Sequence, residues 1–241
     1  MRIDLYLSDF GLTKSRSEAK ALILEGAVSV NGKVITKPSL DVTADDKVTV
    51  AAESKRYVSR GGYKLEGALS AFNCSADGKL ALDVGASSGG FTDCLLQNGA
   101  REVIAVDSGS GQMAQHLRRD SRVIVKENFN ARYMKPTDLE YAPELIVMDV
   151  SFISATCIIP AIYEVASHSA DFICLVKPQF EVGRGGVGKG GIVKDEKLRI
   201  SALKKVVDFG ASVGFSCLGH CLSPIKGGDG NVEYLVHFKK E

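Results

Sequence analysis

The residues best able to do chemistry lie at the ends of short apolar runs. Leu80-Ala-Leu-Asp-Val-Gly-Ala-Ser-Ser-Gly-Gly-Phe91 reads as a buried strand carrying an acid, Asp83, followed by a Gly-rich turn and the start of a helix. Gly85, Gly89 and Gly90 let a ligand approach the backbone closely and tolerate positive φ. A second run, Glu102-Val-Ile-Ala-Val-Asp107, ends in another carboxylate. An acid about twenty residues past the first glycine suits the diol of a ribose. The turn Gly85-Ala-Ser-Ser-Gly-Gly90 lacks the G-x-G-x-x-G spacing that seats a pyrophosphate on a helix N-terminus. Asp83 would repel phosphate and hold an ammonium. A nucleoside with a charged amino-acid tail and no phosphate fits best, which is S-adenosyl-L-methionine. An ordinary strand-turn-helix is the bland alternative, and the second acid weighs against it.

Four more charges stand where the pattern would otherwise want apolar or loop residues. Asp149 ends Leu145-Ile-Val-Met-Asp149, and Lys177 ends Phe172-Ile-Cys-Leu-Val-Lys177. Lys64 opens a helix, and Glu233 begins the last strand after a Gly-rich loop. In open α/β sheets the carboxyl ends of the strands face the ligand crevice. Each charge alone is explained as readily by an exposed surface. Opposite charges on adjacent strand ends beside the Gly-rich turn favour a site.

The elements that would position these groups fall into two domains. Residues 1–54 form a small α+β unit. Ser15-Arg-Ser-Glu18 is a capping box for a helix whose apolar stripe is Ala19, Leu22 and Ile23, and Gly26 ends it. Ala27-Val-Ser-Val30 and Lys33-Val-Ile-Thr36 flank Asn31-Gly32, a strong hairpin signal, and Lys47-Val-Thr-Val50 supplies another strand. Arg16 and Lys20 lie one helical turn apart and can form a phosphate-facing ridge, although a solvated face explains them as well. Residues 55–62, Lys55-Arg-Tyr-Val-Ser-Arg-Gly-Gly62, are basic and end in two glycines, which reads as a hinge able to touch phosphate. From residue 63 to 241, strands near Leu80, Val103, Val123, Leu145, Phe172, Phe215 and Val232 are mostly separated by helical segments, the first of them Lys64–Phe72. That alternation predicts a Rossmann-like α/β domain with a seven-stranded, mostly parallel sheet. The last two strands, joined only by a loop, should be antiparallel neighbours.

Lys64, Asp149, Lys177 and Glu233 match, in order, the Lys-Asp-Lys-Glu tetrad of the FtsJ-like (RrmJ) ribose 2′-O-methyltransferases. Ser59-Arg-Gly-Gly-Tyr-Lys-Leu65, Asp83-Val-Gly-Ala-Ser-Ser-Gly-Gly-Phe91, Asp149-Val-Ser-Phe-Ile-Ser154 and Leu175-Val-Lys-Pro-Gln-Phe-Glu181 are closer still to one branch. Arg2-Ile-Asp-Leu-Tyr-Leu7, Thr13-Lys-Ser-Arg-Ser-Glu-Ala-Lys20 and Gly26-Ala-Val-Ser-Val-Asn-Gly-Lys33 resemble the S-four-type RNA-binding domain of a ribosomal protein. The whole chain thus resembles the TlyA family, ribosomal RNA 2′-O-methyltransferases that also carry an older label, hemolysin.

That resemblance implies a class I methyltransferase fold and a set of roles. Asp83 and the turn Gly85, Ala86, Ser87, Gly89, Gly90, with Phe91, should face the methionine part of the cofactor. Asp107 should take the ribose hydroxyls, and Phe129 and Asn130 the adenine. One departure is Glu127-Asn-Phe-Asn-Ala-Arg132, where the family often has Thr-Asn. Lys177 is assigned to the 2′-hydroxyl, Asp149 to fixing that ammonium and steering the methyl donor, and Glu233 and Lys64 to completing the network. Phe152 could pack near the cofactor, although a core position is the plainer expectation. Arg2, Arg16, Lys20 and Lys33 in the small domain, Arg56 and Arg60 in the hinge, and Arg184 and Lys189, with Lys194, are the candidate RNA contacts. Some members carry a longer basic N-terminus, whereas this chain begins almost at its first helix. The narrower substrate, a cytidine of large-subunit RNA, is therefore the expectation, with the small subunit as an addition.

Composition narrows the remaining classes. At net charge +1 across 241 residues, any basic surface must be local. Six cysteines without a C-x-x-C pair argue against a metal site or disulfide scaffold and for a reducing cytoplasm. The charged N-terminus is no signal peptide, and no apolar run is long enough to span a bilayer, so a cytolysin is disfavoured. Gly183-Arg-Gly-Gly-Val-Gly-Lys-Gly190 has P-loop spacing but puts Gly190 where the Mg²⁺-binding Ser or Thr belongs. A basic loop over RNA is the better reading. A non-catalytic RNA-binding scaffold is a further rival, opposed by the intact tetrad. Nothing specifies assembly beyond a monomer or weak homo-oligomer.

Overall fold

A computed structural model of the chain describes all residues except Lys14, Glu25, Ala44, 51–55, Gly228 and Asp229. It divides into two units, Met1–Arg56 and Tyr57–Glu241. In the smaller unit, helices α1 (Ile3–Asp9) and α2 (Arg16–Leu24) precede strands β1 (Val28–Val30), β2 (Lys33–Ile35) and β3 (Val48–Val50). Ser15 Oγ accepts the Glu18 amide at 3.2 Å, capping α2 as its sequence predicts. Asn31 and Gly32 both take positive φ, 51° and 78°, the geometry of the tight turn that sets Val30 opposite Lys33. The sheet runs β2-β1-β3, and Ile3, Leu7, Ala19, Ile23 and Val28 are fully buried beneath it.

The larger unit contains α3 (Gly61–Ala71), β4 (Leu80–Val84), α4 (Gly90–Gln97), β5 (Glu102–Val106), α5 (Gln115–Arg118) and β6 (Val123–Lys126). It continues with β7 (Leu145–Met148), α6 (Ile159–Val165), β8 (Asp171–Val176), α7 (Pro178–Glu181), α8 (Glu196–Val213), β9 (Phe215–Leu222) and β10 (Tyr234–Lys240). Its seven strands lie in the order β6-β5-β4-β7-β8-β10-β9. The first five are parallel, and β10 inserts antiparallel between β8 and β9. Because side chains alternate along a strand, the sheet feeds two cores. Leu82, Ile104, Ile146 and Phe172 meet α6 and α8 in one. Ala81, Val103, Leu145 and Ile173 meet α3 and α4 in the other.

Among the parallel strands the regular alternation of strand and helix fails in one place. Between β6 and β7 the described residues contain only 3-10 turns, at Ala131–Tyr133 and Pro136–Asp138. The stretch expected to be a hinge also differs. Lys55 lies outside the described residues, but Tyr57 is 1% exposed, and Val58 N donates to Asp93 Oδ2 at 2.8 Å. Residues 57–62 are therefore packed into the larger unit, and α3 begins at Gly61, three residues before Lys64. The two glycines serve close packing here, because a Cβ on Gly62 would strike the Tyr57 ring.

This contact gives a stability test. Gly62→Ala should lower the free energy of unfolding by about 1–3 kcal/mol through overpacking. Gly219→Ala, where nothing lies within 4 Å of the added carbon, should change it far less. Denaturant unfolding of both variants compares them directly.

Candidate functional site

The Gly-rich turn after β4 is shaped by its neighbours. Gly85 and Gly89 adopt φ of 85° and 95°. A Cβ on Gly85 would strike the Asp149 carbonyl, one on Gly89 would strike Leu117, and one on Gly90 would strike Ser59 Oγ. The turn therefore lies flat against the end of β7, α5 and the chain leading into α3. Two cavities open on it. A 520 Å³ cavity is lined by Gly85, Ser87, Asp107, Phe129, Asn130 and Asp149 among others. A 180 Å³ cavity includes Ala86, Gly90, Phe91, Ser59 and Lys177. Gly85, Ser87, Asp149 and Ser151 line both.

Asp107 is presented to the larger cavity by the backbone. Its Oδ2 accepts Ser87 N at 2.8 Å and its Oδ1 accepts Gly109 N at 2.7 Å, which fixes the carboxylate while leaving further lone pairs for a ligand. Ser87 holds positive φ, 47°, to make that bond. Phe129 N returns to the Asp107 carbonyl at 2.8 Å, bringing Phe129 and Asn130 to the same cavity. Glu127, the departure from the family pattern, accepts Gly111 N at 2.8 Å and an Arg118 guanidinium N–H. It thereby braces the loop after Asp107.

Asp83 is placed differently from expectation. It is fully buried, lines neither cavity, and accepts Thr92 Oγ1 at 2.6 Å. Its other oxygen has no hydrogen-bond partner among the described residues. Burial pushes its carboxyl up to about 7, against the Thr92 bond and with help from the charges of Asp149 and Asp107. Direct contact with a ligand ammonium is not what this position offers. Asp83 joins strand β4 to helix α4 beneath the turn.

The four tetrad residues form two ion pairs. Lys177 Nζ lies 2.5 Å from Asp149 Oδ1, a charge contact outside hydrogen-bond geometry, and donates to Ser151 Oγ at 2.8 Å. Lys64 Nζ donates to Glu233 Oε2 at 2.5 Å, with the two side chains 9% and 2% exposed. Register explains the placement. Tyr234 pairs with Val176, so the next residues outward, Glu233 and Lys177, sit at the same edge of neighbouring strands. In the first pair Asp149 lines both cavities and Lys177 the smaller one, whereas the second pair lines neither. Arg60, expected to meet RNA, donates to the Lys226 carbonyl of the loop that precedes Glu233.

Sequence reasoning missed Ser151 and left Phe152 between the cofactor and the core. Ser151 holds Lys177, and its only signal is a hydroxyl two positions past Asp149. Phe152 is 93% exposed rather than in the core, with φ 65°. Its ring lies 5.3 Å from Phe180 and lines the larger cavity. A bulky residue at positive φ is a costly conformation.

The candidate RNA contacts are dispersed. Arg2 and Arg16 converge on the buried carboxylate of Asp4, each at 3.0 Å, with their own side chains half-exposed. The Arg2 hydrogen bond holds the Asp4 carboxyl down at about 2, against the cost of burial. Lys20, Lys33, Arg56, Lys189 and Lys194 are exposed, while the Arg184 side chain lies outside the described residues. The Gly183–Lys194 loop is two 3-10 turns clamped by Asn231, which accepts Val193 N at 2.9 Å and donates to Gly191 O at 2.8 Å. It is not the strand-to-helix passage of a P-loop. Cys74, Asp171 and His237 cluster at the opposite end of the sheet. Asp171 is committed there to Lys79 and Lys239 as well as His237, a poor setting for a metal ion.

The chain is similar to known proteins along its whole length. The model of the FtsJ-like methyltransferase family matches residues 57–240, and that of the S4 domain matches residues 1–48. The 16S/23S rRNA (cytidine-2′-O)-methyltransferase TlyA of Mycobacterium tuberculosis is 44% identical over 100% of this chain and 90% of its own length. The 23S rRNA (cytidine-2′-O)-methyltransferase TlyA of Campylobacter jejuni is 35% identical over 100% of both. A solved structure of a hemolysin-labelled protein from Streptococcus thermophilus superposes with a TM-score of 0.80 at 42% identity, covering 100% of this chain and 88% of the other.

Asp83 makes the site measurable by pH. Its folded-state value of about 7 exceeds the ordinary 3.8, so the folded chain binds this proton more tightly than the unfolded one. Its contribution to stability is full below the ordinary value and is lost as pH rises through the folded one. Asp83→Asn has no such proton. Relative to the wild type, the variant should gain stability steadily from about pH 4 to pH 7 and then level off. Thermal unfolding across that range checks the slope.

Proposed function

The chain belongs to the TlyA branch of the FtsJ-like methyltransferases, and on that premise we propose that it methylates the ribose 2′-hydroxyl of a cytidine in ribosomal RNA. Its cofactor is S-adenosyl-L-methionine. The observation that carries this reading is the Lys177 ammonium, which lines the smaller cavity and is held by Asp149 and Ser151, two residues that line both cavities. Large-subunit RNA is common to the names of both TlyA relatives, and the small subunit appears only in the one from Mycobacterium tuberculosis. A large-subunit cytidine is therefore the first substrate to test.

The residues fit this cofactor. Gly85, Ala86, Ser87 and Gly90 of the turn line the cavities, Asp107 offers fixed oxygens for a ribose diol, and Phe129 and Asn130 stand at the adenine end. Asp83 supports the turn from below. When bound, the cofactor supplies a methyl group already activated on a sulfonium. The work left to the protein is to orient a weak nucleophile and to manage one proton. Lys177 Nζ takes a hydrogen bond with the 2′-hydroxyl, and Asp149 and Ser151 keep that nitrogen at the cavity wall. The same ammonium, kept in place by Asp149, stabilises the developing alkoxide, and as the carbon–oxygen bond forms and the methyl–sulfur bond breaks the hydroxyl proton leaves to water in the open cavity. Lys64 and Glu233 neutralise each other behind this pair, so neither leaves an unpaired buried charge at the strand edge.

Recognition uses other groups. A ribose within folded RNA must be turned outward to reach such a cavity. Phe152 presents an exposed ring on which the extruded base stacks. Arg2 and Arg16, oriented by Asp4, meet phosphate, with Lys20 and Lys33 as nearby charges. Pore formation has no support: among the described residues no helix is long and apolar enough to cross a membrane. A cytoplasmic enzyme, monomeric or weakly self-associating, is the corresponding reading.

The deciding experiment is transfer of radiolabelled methyl groups to unmodified small and large ribosomal subunits, assayed separately. Lys177→Ala should slow transfer by about a hundredfold or more, the usual range for losing one preorganised donor to a developing oxyanion, with RNA binding unchanged. Label in neither subunit, from protein shown to bind the cofactor, would overturn the ribosomal assignment. Phe152→Ala should lose about 1–3 kcal/mol of base stacking, read as weaker kcat/KM, while cofactor affinity is retained. Unchanged kcat/KM in that variant would remove Phe152 from substrate recognition.

A further inference from the structure

The chain leaving β7 and the chain leaving β8 are fastened together at successive levels. Nearest the strands, Lys177 meets Asp149 and Ser151. Next, Phe152 lies against Phe180. Last, Glu181 takes both Ser154 and Ala155: Oε2 accepts Ser154 Oγ at 2.6 Å, and Oε1 accepts Ala155 N at 2.7 Å. Lys205 of α8 completes this level, donating to Glu181 Oε2 at 3.0 Å and to the Glu181 carbonyl at 3.1 Å. The Glu181 side chain is 2% exposed and lines neither cavity. An apolar side chain would fill this position at a lower desolvation cost, so the polar contacts themselves need an account.

We propose that Glu181 is a positioning residue for methyl transfer, holding Ser151 on the Lys177 ammonium and Phe152 in its exposed conformation. The inference rests on the methyl-transfer reading above. Phe152 sits at φ 65°, a conformation that persists only where its surroundings over-determine it. An exposed phenyl ring is also drawn toward burial. The short span from Val150 to Ile153 is therefore kept in place by its two ends. Asp149, at the end of β7, fixes one, and the Glu181 carboxylate fixes the other at Ser154 and Ala155. With the second end released, the span relaxes toward ordinary φ, and the Ser151 hydroxyl and the Phe152 ring shift together. Glu181 touches neither RNA nor cofactor, so its effect reaches the reaction only through these residues.

The test is the single-turnover rate of methyl transfer to ribosomal subunits per cofactor-binding site, for wild type, Glu181→Ala, Glu181→Gln and Ser154→Ala. Counting sites by cofactor binding removes any loss of folded protein from the comparison. Glu181→Ala should slow the step by about ten- to a hundredfold, as a displacement of about 1 Å does, with cofactor affinity unchanged. Glu181→Gln keeps a carbonyl oxygen for the Ala155 amide and should recover part of that loss. Wild-type rates per site in the Glu181 variants, whatever their melting temperatures, would reduce Glu181 to a core residue and overturn the proposal. If Glu181→Ala does not fold, Glu181→Gln and Ser154→Ala carry the same two outcomes. A wild-type protein that labels neither subunit sinks the methyl-transfer reading instead, and this inference falls with it.

Discussion

The Lys177–Asp149 contact at 2.5 Å couples two parallel strands at the point where both end. A charge contact this close is tolerable near a protein interior only when the backbone fixes both partners and the remaining donors find oxygens. Both conditions come from the sheet. Asp149 follows β7 directly, Lys177 follows β8 directly, and those strands are in parallel register from Leu145 and Asp171 onward. Ser151 Oγ accepts a hydrogen bond from the ammonium. Remove the register and the pair has no reason to form, and the cavity wall it provides goes with it.

The second pair shows why one antiparallel strand matters. Inserting β10 between β8 and β9 brings the start of β10, with Glu233, to the end of β8, where Lys177 stands. A parallel strand at that position would present its carboxyl end instead. Lys64 reaches Glu233 from α3, so helix, last strand and central strands converge at one edge. Asp149 and Glu233 each have an ammonium beside them, and Asp83 has none among the described residues. That acid is held by Thr92 alone, and burial raises it to about 7. A cationic ligand above the turn would favour its ionised form, so the same burial that raises its carboxyl makes Asp83 responsive to charge in the cavity.

Much of this was legible in the residues. The apolar runs, the acids that end them and the Asn31-Gly32 turn carry local signals strong enough to place strands and hairpin. Lys64, Asp149, Lys177 and Glu233 could be singled out because charge at a buried strand end is conspicuous. What remained hidden depends on the third dimension. That Phe152 is exposed follows from a positive φ enforced by contacts at Ser154 and Ala155, and an apolar residue after an apolar strand carries no trace of it. Asp83 looked like a ligand because the pattern marks the end of the strand, not which way the carboxylate points. Arg60 looked like a phosphate contact because composition cannot tell a free guanidinium from one bound to the Lys226 carbonyl.

The segment before α3 illustrates the same limit and has the wider consequence. Two glycines and three basic residues in eight positions have the composition of a flexible joint. Yet from Tyr57 onward each described residue has a structural task. Tyr57 fills the space that Gly62 leaves, Val58 is bonded to Asp93 at the start of α4, and Ser59 abuts Gly90. Arg60 then holds the loop that approaches Glu233. Ser59 and Gly61 also line the smaller cavity beside Lys177. These few residues thus touch the Gly-rich turn, the open ion pair's cavity and the loop beside the sealed pair. A shift in any one of them must be absorbed by groups that handle the cofactor or the proton, because close-packed glycine contacts leave no slack. The glycines that suggested freedom in the sequence are what remove it in the fold.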